Sequence, residues 1–129
     1  MSKLYTGINI QYPISQLIIN GQKSIETRTY PIPDKYMNQE MLLIETPGKK
    51  GKFKSRIIGV IKFTKCFIYK SKLDFYKDYK KHFVNEDSDW SWADKPKYGW
   101  KVKIVKIIDP PISFSGKKGI KFTLNIKID

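Results

Sequence analysis

Between Gly21 and Arg28 the chain reads Gly21-Gln22-Lys23-Ser24-Ile25-Glu26-Thr27-Arg28, which packs a lysine, a glutamate and an arginine into six residues. An ammonium, a carboxylate and a guanidinium held at fixed spacing can do two kinds of work. The carboxylate can accept hydrogen bonds or act as a general base, while the cations meet phosphate or carbonyl oxygens. The segment reads as the start of a strand, where alternate residues share a face. Ser24, Glu26 and Arg28 are then expected on one face and Lys23, Ile25 and Thr27 on the other. Arg28 has added weight because the chain has 25 basic residues and only Arg28 and Arg56 are arginine. Where lysine is the default, a planar bidentate fork is a reason to use arginine instead.

The elements that must hold this segment follow from periodicity and turn residues. Gly7 to Gln11 alternates as a first strand. Ile14, Leu17 and Ile18 fall at helical spacing after Pro13, and Asn20-Gly21 supplies a stop, so a short helix covers 13–20. Lys23 to Tyr30 is a β-branched strand ended by Pro31 and Pro33. Met41 to Thr46 is a further strand, followed by a turn at Pro47-Gly48-Lys49-Lys50-Gly51. Arg56 to Tyr69 is one long strand or two joined at a bend. It is apolar on both faces at Ile57-Ile58-Gly59-Val60-Ile61, with a bulge expected at Gly59.

Ser71 to Phe83 reads as a helix with Ser71 and Asp74 as a capping pair and Phe75, Tyr79 and Phe83 as its apolar stripe. Asn85 to Tyr98 is irregular. Trp100 to Ile108 is a strand with a phase slip between Ile104 and Val105 that signals a bulge, and Pro110-Pro111 should end it. Ile120 to Ile128 alternates strictly. The fold class is α+β, a small mixed or antiparallel barrel, closed or nearly so, flanked by two main helices. Closure hides strand edges.

The totals set outer bounds. A chain of 129 residues, 40% hydrophobic, is expected to form a single domain over 1–129. No apolar run suits a membrane span, and the opening Met1-Ser2-Lys3-Leu4-Tyr5 lacks the long apolar segment of a secretory signal, so neither is expected. The lone Cys66 reads as a small buried hydrophobe, and a reducing, cytoplasmic setting is expected. No Cys/His spacing suits a metal and no glycine pattern suits a nucleotide cofactor, so none is expected. The formal net charge of +13 favours a polyanionic partner through counterion release. An AT-rich genome would produce the same lysine skew without any such partner.

Gly21-x-Lys23-x-x-Glu26-x-Arg28 after a short helix resembles the hallmark of the ASCH domain family, within the PUA-like superfamily of small β-barrels. The similarity continues at Ile57-Ile58-Gly59-Val60-Ile61 and at Tyr98-Gly99-Trp100-x-Val102, and spans nearly the whole chain in order. The resemblance implies a PUA-like barrel with a cleft at the mouth. Some family members are amidohydrolases that deacylate the exocyclic nitrogen of cytidine derivatives with a lysine, a threonine and a distant glutamate. Carried over, the lysine is Lys23 and the glutamate Glu86, but Glu26 occupies the threonine position. Related PUA-like domains read RNA or modified bases.

Three functions are therefore expected in turn. The first is recognition of RNA or a modified nucleoside in a cleft lined by Lys23, Ser24, Glu26 and Arg28, with Trp90, Trp92 and Tyr98 as stacking surfaces. Lys49, Lys50, Lys52, Lys54, Arg56, Lys117 and Lys118 would then meet phosphate. The second is a small hydrolase, an N4-acylcytidine amidohydrolase or a ribonuclease, with Lys23, Glu26 and Glu86 as its catalytic set. The third is a protein-interaction module whose charge reflects only genome composition.

Overall fold

The computed structural model describes residues 3–88, 90–115 and 121–128. Lys117, Lys118 and the expected start of the last strand at Ile120 lie outside the described residues. In chain order the elements are β1 (Lys3–Gln11), α1 (Ile14–Ile19), β2 (Ile25–Arg28), a 3-10 turn (Asp34–Tyr36), β3 (Met41–Thr46), β4 (Arg56–Tyr69), α2 (Lys72–Lys77), α3 (Tyr79–His82), β5 (Lys97–Ser113) and β6 (Phe122–Ile128). The six strands form one sheet in the order β2-β5-β4-β3-β1-β6. The β1–β3 pair is parallel and the other pairs are antiparallel.

The α+β class holds, and of the expected barrel, closed or nearly so, full closure is not seen. Among the described residues β2 and β6 are sheet edges with no ladder between them. The sheet curls far enough that Trp100 of β5 stacks on Phe122 of β6, with ring centroids 6.3 Å apart and planes at 11°. Side chains, rather than backbone hydrogen bonds, bridge the two ends.

The central strands are buried on both faces, as their unbroken apolar runs require. Met41 and Leu43 of β3 join Ile8, Ile58, Ile61, Phe63 and Trp100 in one core cluster. Leu42 and Ile44 of the same strand join Ile57, Val60 and Ile126 in another. A third, smaller cluster of Tyr69, Phe75 and Val84 seats α2 and α3 against the end of β4.

The expected helix over 71–83 is split, so three short helices stand where two main ones were expected. Ser71 does cap α2, its Oγ accepting from the Asp74 N–H at 3.1 Å. The helix ends at Asp78, whose carboxylate accepts a 2.6 Å hydrogen bond from the Tyr69 hydroxyl. Asp78 then opens α3, its carbonyl accepting from the Lys81 and His82 N–H groups. The stripe breaks with it: Phe75 is buried, while Tyr79 is exposed.

Pro110-Pro111 does not end β5. Ile57 of β4 pairs with Ile112, and Gly59 pairs with Ile107, so five residues of β5 span two of β4. The two prolines sit inside that slack, where no ladder donor is needed. The register shift beside Gly59 thus puts the excess on the partner strand. The phase slip at Val105 is a true bulge, because Val60 pairs with Lys106 and Ile61 with Ile104. The alternation of β6 is not strict. Three steps from Ile126 to Thr123 match two from Tyr5 to Gly7, Asn125 takes φ 57°, and Leu124 turns outward, 58% exposed.

Candidate functional site

Helix α1 ends at Asn20, and Gly21 at φ +85° reverses the chain, its N–H returning to the Ile18 carbonyl at 3.0 Å. Few side chains tolerate that left-handed position, and glycine does so at no cost. The next three residues are then clamped by backbone bonds. The Lys23 N–H donates to Leu17 at 2.8 Å, the Ser24 N–H to Lys81 at 2.9 Å, and the Ser24 carbonyl accepts from Val102 at 2.9 Å. Lys23 therefore precedes β2, which begins at Ile25, and strand alternation does not set its direction.

Lys23 is buried, 2% exposed. Its Nζ donates to the His82 carbonyl at 2.7 Å and lies 3.5 Å from Glu26 Oε1. Glu26 is itself 5% exposed. Its Oε1 accepts the Thr27 N–H at 3.0 Å, and its Oε2 faces the Arg28 guanidinium at 3.5 Å. Arg28 also donates to the Tyr30 hydroxyl at 3.3 Å and lies over the Trp100 ring at 5.6 Å. Across the β2–β5 ladder Glu26 pairs with Trp100 and Arg28 with Tyr98, which fixes both relative to the core.

These groups border a cleft of about 200 Å³ whose other walls come from Gln11 and Ile14 and from Val84 and Trp90. Trp90 is 45% exposed, with its ring available at the rim. Thr27 borders the cleft as well, although alternation put it on the far face; Ser24 does not. Trp92 lies instead against Phe75 at 5.7 Å, its backbone N–H donating to the Tyr76 hydroxyl at 3.0 Å. Tyr98 packs against the main core cluster. Glu86 is exposed in a turn and is not part of the cleft lining. Lys49, Lys50, Lys52 and Lys54 are exposed. Arg56 is committed elsewhere, its Nε donating to Glu45 at 2.7 Å and its guanidinium 3.9 Å over the Phe53 ring.

Three buried ionisable residues among those described escaped the sequence reading. His82 is 0% exposed. Its Nδ1 accepts the Val84 N–H at 3.0 Å, which leaves Nε2 to donate to the Phe75 carbonyl at 2.6 Å. The ring stacks on Phe75 at 4.2 Å. Burial holds its pKa below the ordinary value; the Phe75 bond works against that, and the Lys23 charge reinforces it. A neutral His82 thus fixes the carbonyl that receives Lys23. Its seven-residue spacing from Phe75 on one helical face was the available signal.

Glu45, 0% exposed, accepts from Ser15 Oγ and Gln16 Nε2 at 2.6 Å each, besides Arg56. Burial alone would raise its pKa, but those hydrogen bonds and the Arg56 charge together hold it below the usual range. A single acid ending an apolar strand was its signal. Lys97, 7% exposed, donates to the Trp90 carbonyl and lies 5.5 Å over the Phe75 ring. It ties the loop that carries Trp90 to the start of β5.

Burial, outweighing the neighbouring Glu26, holds the Lys23 pKa below the ordinary 10.5, and Arg28 adds to the depression. Burial and the Lys23 charge do the same for Lys97. In alkaline solution below about pH 10 the unfolded chain then binds more protons than the folded one, so stability rises with pH. Unfolding midpoints in denaturant should climb as the pH of an alkaline solution rises towards the ordinary lysine value of 10.5. Above that the trend reverses, because burial and the Asp78 bond keep Tyr69 protonated in the fold. Lys97→Met should flatten the climb more than Lys80→Met, which removes an equal charge from the surface. Equal slopes for the two variants would contradict the assignment.

Among the described residues no group of three or more His, Cys, Asp or Glu side chains could hold a metal ion. Among the same residues no helix is long and apolar enough to cross a membrane.

The curled mixed sheet, with its order β2-β5-β4-β3-β1-β6, defines the fold class. The fold is that of the ASCH domains. The chain is similar to the crystal structure of ASCH from Zymomonas mobilis, with a TM-score of 0.70 and 15% identity over 93% of this chain and 86% of that one. It is also similar to a tyrosine-to-phenylalanine mutant of that protein, with a TM-score of 0.69, 15% identity, and 95% and 90% of the two chains covered. A serine-to-alanine mutant gives a TM-score of 0.64 at 13% identity, covering 93% and 87%. No family model and no curated protein matches the sequence.

Proposed function

We propose that this protein binds RNA, or a nucleotide released from it, by taking one base into the cleft between β2 and Trp90. The observation that carries the reading is the convergence of Lys23, Glu26 and Arg28 on a cleft rimmed by an exposed tryptophan. At about 200 Å³ the cleft is smaller than the roughly 300–1,000 Å³ typical of sites for larger ligands. It suits one flat ring, with sugar and phosphate left outside. The Glu26 carboxylate offers acceptors and the Lys23 ammonium donors to a base edge. Trp90 offers a face to stack on, which contributes about 1–3 kcal/mol per base. Arg28, its side chain 17% exposed, reaches the rim where a phosphate would lie. The net charge of +13 adds the nonspecific attraction of a polyanion.

A hydrolase is the second reading, favoured by the depressed pKa of Lys23 and by Thr27 at the same cleft. A neutral lysine amine could take the proton of an attacking hydroxyl or water. Glu86 lies outside the cleft lining, so Glu26 would have to supply the carboxylate. This is why recognition is preferred to deacylation or RNA cleavage.

The test is equilibrium binding of single-stranded RNA by fluorescence anisotropy across a salt series. Affinity should fall steeply with salt, and Arg28→Gln should weaken it about tenfold, as expected for loss of a charge-assisted bond. Absence of binding at low salt would refute the reading. Turnover of N4-acylcytidine or of RNA, lost in Lys23→Met without unfolding, would move the assignment to the hydrolase.

A further inference from the structure

We infer that the ligand is a strand rather than a free nucleotide, and that its backbone leaves the cleft across the loop joining β3 to β4. The inference rests on the cleft being a base site. Gln11 both lines the cleft and packs its side chain against Gly48. The rim of the cleft is thus continuous with the turn that opens this loop. From Pro47 to Ser55 the loop carries Lys49, Lys50, Lys52 and Lys54 and no acid. All four lysines are exposed, and among the described residues none has an ion-pair partner.

The loop is also anchored. The Gly51 N–H returns to the Pro47 carbonyl at 2.8 Å, and the Tyr12 N–H donates to Thr46 at 2.7 Å. At its far end Phe53 is held edge-on by Tyr12 at 5.4 Å and faced by the Arg56 guanidinium, which Glu45 fixes in turn. A ridge of four exposed ammonium groups on a fixed base presents charge without the entropy loss of ordering a free loop. The segment that carries Trp90 leans to the other sign. Glu86, Asp87 and Asp94 are exposed on it, beside a single exposed lysine, Lys95. A phosphate chain is repelled there and attracted across the lysine loop, so charge sets one direction of exit.

The experiment compares cytidine 5′-monophosphate with a single-stranded RNA of about ten nucleotides on the full chain, with and without Lys49→Gln, Lys50→Gln, Lys52→Gln and Lys54→Gln combined. The unaltered chain should bind the oligonucleotide at least about tenfold more tightly than the monophosphate, and the combined variant should collapse that ratio towards one. The salt slope for the oligonucleotide should fall by about 0.7 per lysine, or about 3 in all. Circular dichroism of the variant checks that the fold is kept. Monophosphate binding with no oligonucleotide advantage, or an advantage that survives the four changes, overturns the strand route alone. Failure of both ligands to bind overturns the base site together with it.

Discussion

Glu26→Ala should cost about 3–5 kcal/mol of unfolding free energy, the usual result of removing one partner from a buried ion pair. Lys23 and Glu26 have side-chain exposures of 2% and 7% and stand 3.5 Å apart. Without the carboxylate, the Lys23 ammonium keeps only the His82 carbonyl. The fold must then hold an uncompensated charge or deprotonate it. Arg28 loses a partner too, but at 17% exposure it can turn towards water. The same logic makes a second change corrective. Lys23→Met combined with Glu26→Ala should recover most of the loss, since an apolar chain of similar length needs no counter-charge. Chemical denaturation of the four proteins measures the coupling directly. A single-variant loss below about 1 kcal/mol would mean that the pair is solvated and the cleft more open than described.

Trp100→Ala should be as damaging, at about 3–5 kcal/mol for truncation of a buried aromatic. Trp100 is 0% exposed, meets Tyr30 and Phe63 edge-on at 5.5 and 5.3 Å, and stacks on Phe122. Its indole Nε1 donates to the Tyr30 carbonyl at 3.3 Å. It also pairs with Glu26 across the β2–β5 ladder and carries Arg28 over its ring. The cavity would therefore loosen the bridge between the sheet's two ends and the strand that bears the cleft residues. RNA affinity should fall with stability, even though Trp100 never reaches the ligand. An unchanged denaturation midpoint would show that the stacking on Phe122 contributes little to holding the curl.

Where residues report their own surroundings, the sequence was readable. Met41 to Thr46 alternates between two apolar clusters and forms a strand with the expected bounds. The slip between Ile104 and Val105 marks a real bulge because a fixed side-chain period of two has no other way to absorb an extra residue. The failures concern partners distant in sequence. Closure depends on whether β2 and β6 meet, and neither strand carries a signal for that pairing. The break at Asp78 depends on a hydroxyl nine residues earlier, on Tyr69. Pro110-Pro111 looked like a terminator because the slack it occupies is created by the register with β4.

The site divides the same way. Lys23, Glu26 and Arg28 stood out as a local cluster, and the structure brings all three to one cleft. Strand alternation does not govern Lys23 and Ser24, whose clamp lies outside β2, and Thr27 within β2 borders the cleft beside Glu26 and Arg28. Trp90 and Trp92 looked alike in the irregular segment. Only the packing of Trp92 on Phe75 separates them.

The three tryptophans make the central claim directly measurable. Indole N–H resonances of isotopically labelled protein would be followed while a pyrimidine nucleotide, then a short single-stranded RNA, is added. Trp90, exposed at the cleft rim, should move most. Trp92, packed on Phe75, should move less, and Trp100, enclosed in the core, least. In Arg28→Gln the Trp90 shift should need about tenfold more ligand to reach half its full size. Saturable RNA binding that leaves the Trp90 resonance unmoved would contradict a base held between Trp90 and the Lys23–Glu26–Arg28 wall.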